Sequence, residues 1–225
     1  MQMITIEDAK KLNPRLNPKL FFPSPEDVLN AIRENDIVKE WLEFIAEKHI
    51  ARSAEVLLLV PCTPKKPYDP PRDEFHRKLI ELEKNYDVYL VSVSEPLSLE
   101  PREYWNFVWK RDGEEINLVY DAPFFPWIEK YGYRWSEEIA REVWEILSRV
   151  AGRWYERNGK KFERVICLAF PETGYRKIVS RIDVDVFVPE KRPEELGIEV
   201  KEDYFQNTDS DYLKVWDELM RVLTV

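Results

Sequence analysis

The chain has 225 residues, 44% of them hydrophobic and 34% charged, and its 34 basic against 43 acidic side chains leave a net charge of −9. That length and apolar content allow one substantial core with room for a small appendage, and the negative charge opposes unaided binding to a phosphate backbone. No run approaches the roughly 18 apolar residues that cross a bilayer, and no charged-then-apolar leader opens the chain, so a cytoplasmic protein without membrane contact is expected.

Two cysteines make a poor disulfide framework, and two scattered histidines do not complete a structural zinc site with them. The high charge content, with only six glycines and two glutamines, is a balance common in proteins of heat-loving organisms.

Residues 1–52 read as a lead-in packed on a core domain of residues 53–225. Residues 1–23 look irregular, punctuated by Pro14, Pro18 and Pro23. Ser24 ahead of Pro25, Glu26 and Asp27 predicts a helix start, with a capping hydroxyl and proline in the first turn. Val28, Leu29 and Ile32 give a short helix; Ile37, Trp41, Phe44, Ile45 and Lys48 mark a second, amphipathic one. His49 falls at its end, where the helix dipole favours a cation.

Residues 56–60 predict a strand buried on both faces. It runs into Pro61, Cys62 and a loop carrying Pro64, Pro67, Pro70 and Pro71, which keep the backbone out of helix until about Arg72. A helix over residues 72–85, a strand over 86–93 reached by a right-handed crossover, and a shorter strand over 116–120 follow. Ser136 caps a long helix with the apolar stripe Ile139, Val143, Ile146, Leu147, Val150 and Trp154. Strands at 164–170 and 184–188 flank a helix over 175–181, and a last helix runs from about Asp209 to Leu223. This alternation predicts an α/β fold: a three-layer sandwich with a mainly parallel central sheet of about four or five strands and helices on both faces.

Cys62 enters a stiff loop at the carboxyl end of a central strand, where α/β sheets bind ligands. Lys65, Lys66 and Arg72 are near enough in sequence to lower its pKa toward thiolate, a nucleophile for carbonyls and nitriles. The plain alternative is a small buried hydrophobe at a strand end, which is also how Cys167 reads. His76, early in the next helix, is either a proton acceptor for Cys62 or a helix-surface histidine. Asp121 at a strand end is a candidate acid, base or hydrogen-bonding group; Glu103 and Glu172 also follow strands, and a surface carboxylate is the default for each. Glycine-rich phosphate loops and the GxSxG elbow are absent, so no cofactor is expected.

Residues 149–164 mix cations with aromatics and are either a candidate RNA face or a solvated one. The loop over residues 124–135, with Trp127, Tyr131, Tyr133 and Trp135, suits stacking on a base or plugging the core.

Four segments in order, Pro61-Cys62, Lys66-Pro67-Tyr68, Pro101-Arg102-Glu103 and Tyr120-Asp121-Ala122-Pro123, resemble the signature of the core domain of the archaeosine synthase family. These archaeal enzymes, related to tRNA-guanine transglycosylases, modify 7-cyano-7-deazaguanine in tRNA, and the resemblance covers about residues 25–182. It implies addition of an amine, lysine, to the nitrile of that base. The expected route has Cys62 attack the nitrile carbon to give a thioimidate, with Lys66 or His76 managing protons. Tyr68, Glu103, Tyr120 and Asp121 are then substrate-binding residues, with Asp121 on the base edge.

The resemblance also implies tRNA as substrate, with a partner protein and no role for DNA. Pro71 stands where the family has serine and His76 comes two residues late. The family's transglycosylase-like region and tRNA-binding PUA domain find no room in 225 residues. The alternative expectation is a nucleobase-binding module without chemistry, or an interaction subunit of a larger tRNA-modifying enzyme.

Overall fold

The computed structural model describes residues 3–200, 202–205 and 210–224. The apolar run at residues 56–60 lies within β1 (Ala54–Pro61), which takes the middle of a five-stranded sheet. On one side β1 pairs in parallel with β2 (Val88–Ser94), which pairs antiparallel with β3 (Ser98–Pro101). On the other side lie β6 (Phe162–Leu168) and β7 (Val186–Val188), both parallel. β4 (Val108–Arg111) and β5 (Glu114–Asn117) form a separate antiparallel hairpin. The expected α/β class, with a mainly parallel sheet, is the architecture that forms.

From β1 to β2 the chain steps one way across the sheet, and from β2 to β6 it crosses back past β1. Right-handed crossovers therefore put α4 (Glu74–Asn85) and α5 (Glu137–Asn158) on opposite faces. The Ser136 hydroxyl accepts from the Ile139 amide at 3.3 Å, so the predicted cap of α5 is made. α2 (Pro25–Glu34) and α3 (Asp36–Glu47) pack on α5 and share one apolar core with the sheet. Trp41, Trp105 and Trp154 are fully buried in it. Their indole N–H groups all find acceptors, on Leu97 O, Glu100 O and His49 Nδ1, as buried aromatic donors require.

Several expectations are corrected. The lead-in is not wholly irregular: α1 (Ile6–Leu12) opens on a capping box between Thr5 and Asp8, and Pro18–Leu20 form a 3-10 turn. A helix of under two turns shows too little periodicity to be read from its apolar residues alone. Of the strand expected over residues 116–120 only Ile116 and Asn117 lie in a strand, as the end of β5, which pairs only with β4, outside the central sheet. Asp112 and Gly113, with φ of 50° and 88°, turn the chain there into a hairpin, and that dipeptide is the signal the reading overlooked. β3, also unforeseen, follows a turn at Glu95 to Leu97. The last strand is shorter than expected, and the helix over 175–181 is α6 (Gly174–Ile178) followed by a 3-10 turn. The C-terminal helix divides into a 3-10 segment Asp211–Val215 and α7 (Trp216–Leu223), while Asp209 lies outside the described residues. Among the described residues no helix is long and apolar enough to cross a membrane.

Candidate functional site

The parallel ladder between β1 and β2 runs one residue beyond β1: the Cys62 amide donates to Val93 O at 3.0 Å. Cys62 thus stands at the carboxyl edge of the sheet, and the proline loop leaves from it. The loop is held by residues distant in sequence. Asn13, at the end of α1, donates to Pro64 O at 2.8 Å and accepts from the Lys66 amide at 2.7 Å. Arg72 reaches the Lys66 carbonyl at 2.6 Å. At the far end Asp73 caps α4 by accepting from the His76 amide at 2.7 Å, and takes the Thr63 hydroxyl at 2.7 Å. One carboxylate therefore starts the helix and fixes the residue beside Cys62. Asp73→Ala is expected to cost about 1–2 kcal/mol through the lost cap alone, measured as a lower denaturant midpoint.

Above this edge opens a cavity of about 660 Å³, with Cys62, Lys66, Tyr120, Asp121 and Tyr175 in its wall. Cys62 is half-buried, and its Sγ lies 3.5 Å from the Tyr175 hydroxyl. Burial pushes the thiol up to about 11, with Glu100 and Glu95 acting in the same direction and Lys66 opposing them. The expected depression to thiolate is therefore not met: Arg72 is engaged with backbone carbonyls, and Lys66 alone does not offset desolvation. Lys66 is 3% exposed, donates to Thr63 O at 3.0 Å and sits 4.0 Å from the Tyr120 ring centre. Among the described residues it makes no ion pair within 4 Å; Lys65 also lines the cavity unpaired but is only half-buried, so Lys66 is the buried unpaired ammonium of the wall.

Asp121 is buried and accepts a hydrogen bond from the Tyr204 hydroxyl, and its backbone bridges to Phe21. Burial raises its pKa, with Tyr204 and Lys66 opposing. The stacked pair Phe125 and Trp127, with ring centres 5.6 Å apart, lies on the cavity rim. The rest of that aromatic loop divides, Phe124 and Trp135 packing against Trp144.

Three expected site residues lie elsewhere. His76 is fully buried, stacked on Tyr68 at 3.7 Å, with Nδ1 3.1 Å from both Asp73 oxygens; neither ring reaches the cavity wall. Burial lowers the His76 pKa against the pull of Asp73, and the ring braces the loop from within the core. Glu103 bonds His49 at 2.7 Å and the Tyr89 hydroxyl at 2.8 Å, away from the cavity. Its neighbour Arg102 pairs with Asp69 and Glu83 at 2.9 Å each, so the Pro101-Arg102-Glu103 segment braces the proline loop from behind. His49 is itself buried between Glu103 and Trp154 rather than displayed at a helix end. The basic stretch at 149–164 is largely committed: Arg149 to Glu145, Arg153 to Glu47, and Arg157 and Lys161 to backbone carbonyls.

The residues the sequence reading missed are acids and a glycine. Glu100 and Glu95 are buried behind Cys62, and Trp144 Nε1 donates to Glu95 at 2.8 Å. Gly174 lies against that bond: a Cβ there would come within 2.5 Å of both Glu95 Oε1 and Trp144 Nε1. Gly174→Ala is expected to destabilise by about 1–3 kcal/mol, seen as a lower denaturant midpoint.

Comparison with known proteins bears on what this edge serves. Residues 38–110, from α3 through β3 to β4, match a family model described as a domain of unknown function, DUF5591. Archaeosine synthase of Haloferax volcanii is 26% identical over 149 residues, 66% of this chain and 21% of that protein. Archaeosine synthase subunit alpha of Thermoplasma acidophilum is 24% identical over 190 residues, 83% of this chain and 29% of that protein.

The chain is a distant homologue of archaeosine synthase.

The chain spans under a third of either archaeosine synthase relative. No solved structure matches it. The DUF5591 match takes in Cys62 and Lys66 and ends before Tyr120 and Asp121, which the tertiary fold brings to the same cavity.

Proposed function

We propose that this chain is an archaeosine-synthase-like domain acting in tRNA base modification, adding the amine of lysine to the nitrile of 7-cyano-7-deazaguanine. The observation that carries this reading is the convergence of Cys62, Lys66, Tyr120 and Asp121 on one cavity at the carboxyl end of a parallel sheet. Its volume falls in the range of small-molecule sites and suits a purine-sized ring together with an amino acid.

In this reading the Cys62 sulfur bonds to the nitrile carbon while the nitrile nitrogen takes up a proton, giving a thioimidate. The amine then adds at the same carbon and the carbon–sulfur bond breaks, returning the thiol and leaving an amidine. Atoms balance as addition of one N–H bond across the nitrile. Lys66, a buried ammonium without an ion pair, stabilises negative charge developing on the nitrile nitrogen. Asp121 accepts from the base edge once Tyr204 gives way, and Phe125 with Trp127 provides a stacking surface at the rim. Tyr68 and His76 support the loop from beneath.

The net charge of −9 and the fraction of the relatives covered support tRNA delivery by a partner protein or by further domains.

A second reading is a nucleobase-binding module without chemistry, favoured by a thiol that titrates near 11. Incubation with lysine and tRNA bearing 7-cyano-7-deazaguanine, with and without a partner chain, followed by nucleoside mass spectrometry, separates the two. A mass gain equal to lysine supports the enzyme. Binding with unchanged mass in both conditions overturns it in favour of the module, and binding only with the partner present and no mass change points to an interaction subunit.

A further inference from the structure

Strand register places a carboxylate behind the thiol. Pro61 aligns with Val93 and Cys62 continues that ladder, so Cys62 flanks Ser94; Ser94 in turn pairs with Ser98, and Ser92 with Glu100. Because side chains alternate along a strand, Cys62, Ser94, Ser92 and Glu100 share one face of the sheet. The Ser94 hydroxyl donates to Glu100 Oε1 at 2.8 Å. Glu100 is 2% exposed, and its other oxygen, Oε2, has no hydrogen-bond partner. The hydroxyls of Ser92 and Tyr120 are buried too and make no hydrogen bond of normal geometry, yet both stand close enough to Glu100 to hold its carboxyl down against burial. Native proteins rarely leave such atoms orphaned, and several on one side of a cavity wall mark a recess suited to water or to a moving proton.

We propose that Lys66, Cys62 and Glu100 form a buried triad holding one ammonium and one mobile negative charge, in which Glu100 takes the proton that Cys62 gives up. In that step the S–H bond breaks and an O–H bond forms on Glu100, and the charge moves from oxygen to sulfur with nothing lost to solvent. The net charge of the triad is unchanged. Ionising the thiol to solvent instead would set two negative charges against one ammonium in a poorly hydrated place, at far greater cost.

Other charged and titratable groups face the triad: Asp121, from the segment after β5, acts on Lys66 and is itself bonded by the Tyr204 hydroxyl. Cys62 also meets Glu95 from the end of β2 and Tyr175 from α6, and Glu100 also meets Tyr68 and Tyr120. From α4, His76 acts on Lys66 and Asp73 on Tyr68. Burial raises Glu100 while Lys66 opposes it, and the same ammonium opposes the rise at Cys62, as expected of two sites coupled through one cation.

The inference rests on Cys62 being the nucleophile proposed above, but its test needs no nitrile. The alkylation rate of Cys62 by iodoacetamide is followed by peptide mass on the full chain, from mildly acidic pH to about 11. The wild type is expected to show a pH-independent plateau around neutrality, because internal transfer does not depend on the solvent proton concentration, and then a rise as the thiol titrates to solvent. Glu100→Gln should lose the plateau and show a single titration with a lower midpoint, the rate falling about tenfold per pH unit below it. Glu100→Asp should keep a plateau, and Lys66→Met should lower it at least tenfold.

A wild type with a single titration, or a folded Glu100→Gln that keeps the plateau, overturns the triad. Loss of the plateau in Glu95→Gln instead would move the acceptor to Glu95. If lysine addition fails while the plateau is present, the nitrile reaction is wrong and the triad stands.

Discussion

Replacing Cys62 with alanine is expected to lower nitrile consumption by about 10³-fold or more, with the denaturant midpoint nearly unchanged. The size follows from the proposed role: on that route no thioimidate forms once the sulfur is gone, and the amine would have to attack an unactivated nitrile using only binding and the Lys66 charge. The small effect on stability follows from place. Cys62 is half-buried at a strand end, its backbone bond to Val93 does not involve the side chain, and the Tyr175 hydroxyl left behind faces a cavity that admits water. Cys167, 1% exposed within β6, is the control: Cys167→Ala should retain turnover. Nucleoside mass spectrometry on substrate tRNA reads both variants. Undiminished nitrile consumption by Cys62→Ala would discard covalent chemistry at this cavity.

Glu95→Gln is expected to make the protein more stable than wild type above neutral pH and to leave it little changed below about pH 4. Burial raises the Glu95 carboxyl from 4.5 to about 7. The folded protein therefore keeps a proton that the unfolded chain releases from pH 4.5 upward. This contribution to stability is fully present below the unfolded value and lost as pH rises through the folded one. A difference of that size corresponds to roughly 3 kcal/mol at one unit per 1.36 kcal/mol. Glutamine keeps an oxygen for the Trp144 indole and carries no charge to desolvate. Glu100 and Asp121 are raised by burial too and give the wild type slopes of the same sign. The informative quantity is therefore the difference between variant and wild type in urea midpoints across pH. A difference that stays flat between pH 4.5 and 7 would mean Glu95 titrates normally.

Both predictions concern the carboxyl edge of β1 and β2, and they differ in how much could be foreseen. The arrival of Cys62 at that edge follows from an apolar run meeting prolines, which is a local pattern. Placing Glu95 and Glu100 behind it requires knowing that β2 turns back into β3, a pairing without periodicity long enough to detect. The segment Pro101-Arg102-Glu103 shows the converse. It stands out in the sequence as part of a resemblance, yet its charges are matched to Asp69, Glu83 and His49, so it braces the loop instead of facing the cavity.

His76 illustrates the same limit on a shorter scale. Its position early in α4 was legible, but whether it turned toward the sulfur or inward depended on Tyr68 and Trp105, whose rings form its packing surface. Asp121 was expected at the end of a strand, but β5 ends at Asn117 and Asp121 makes only an isolated bridge to Phe21, while its partner Tyr204 lies 83 residues further along the chain.

What the amino-acid sequence determined alone was therefore the set of elements written in short-range physics: the buried β1, β2 and β6, the apolar stripe of α5, the caps at Ser24 and Ser136, and the cysteine at a strand's carboxyl end. Each depends on side chains within a few residues of one another, where periodicity and capping act. Tertiary structure decided which of 43 acids lost their water, which lysine was buried without an ion pair, and which residues met around the cavity. Desolvation and Coulomb interaction are sums over neighbours in space, and here those neighbours are drawn from α1, the proline loop, β3 and the segments after β5 and β7.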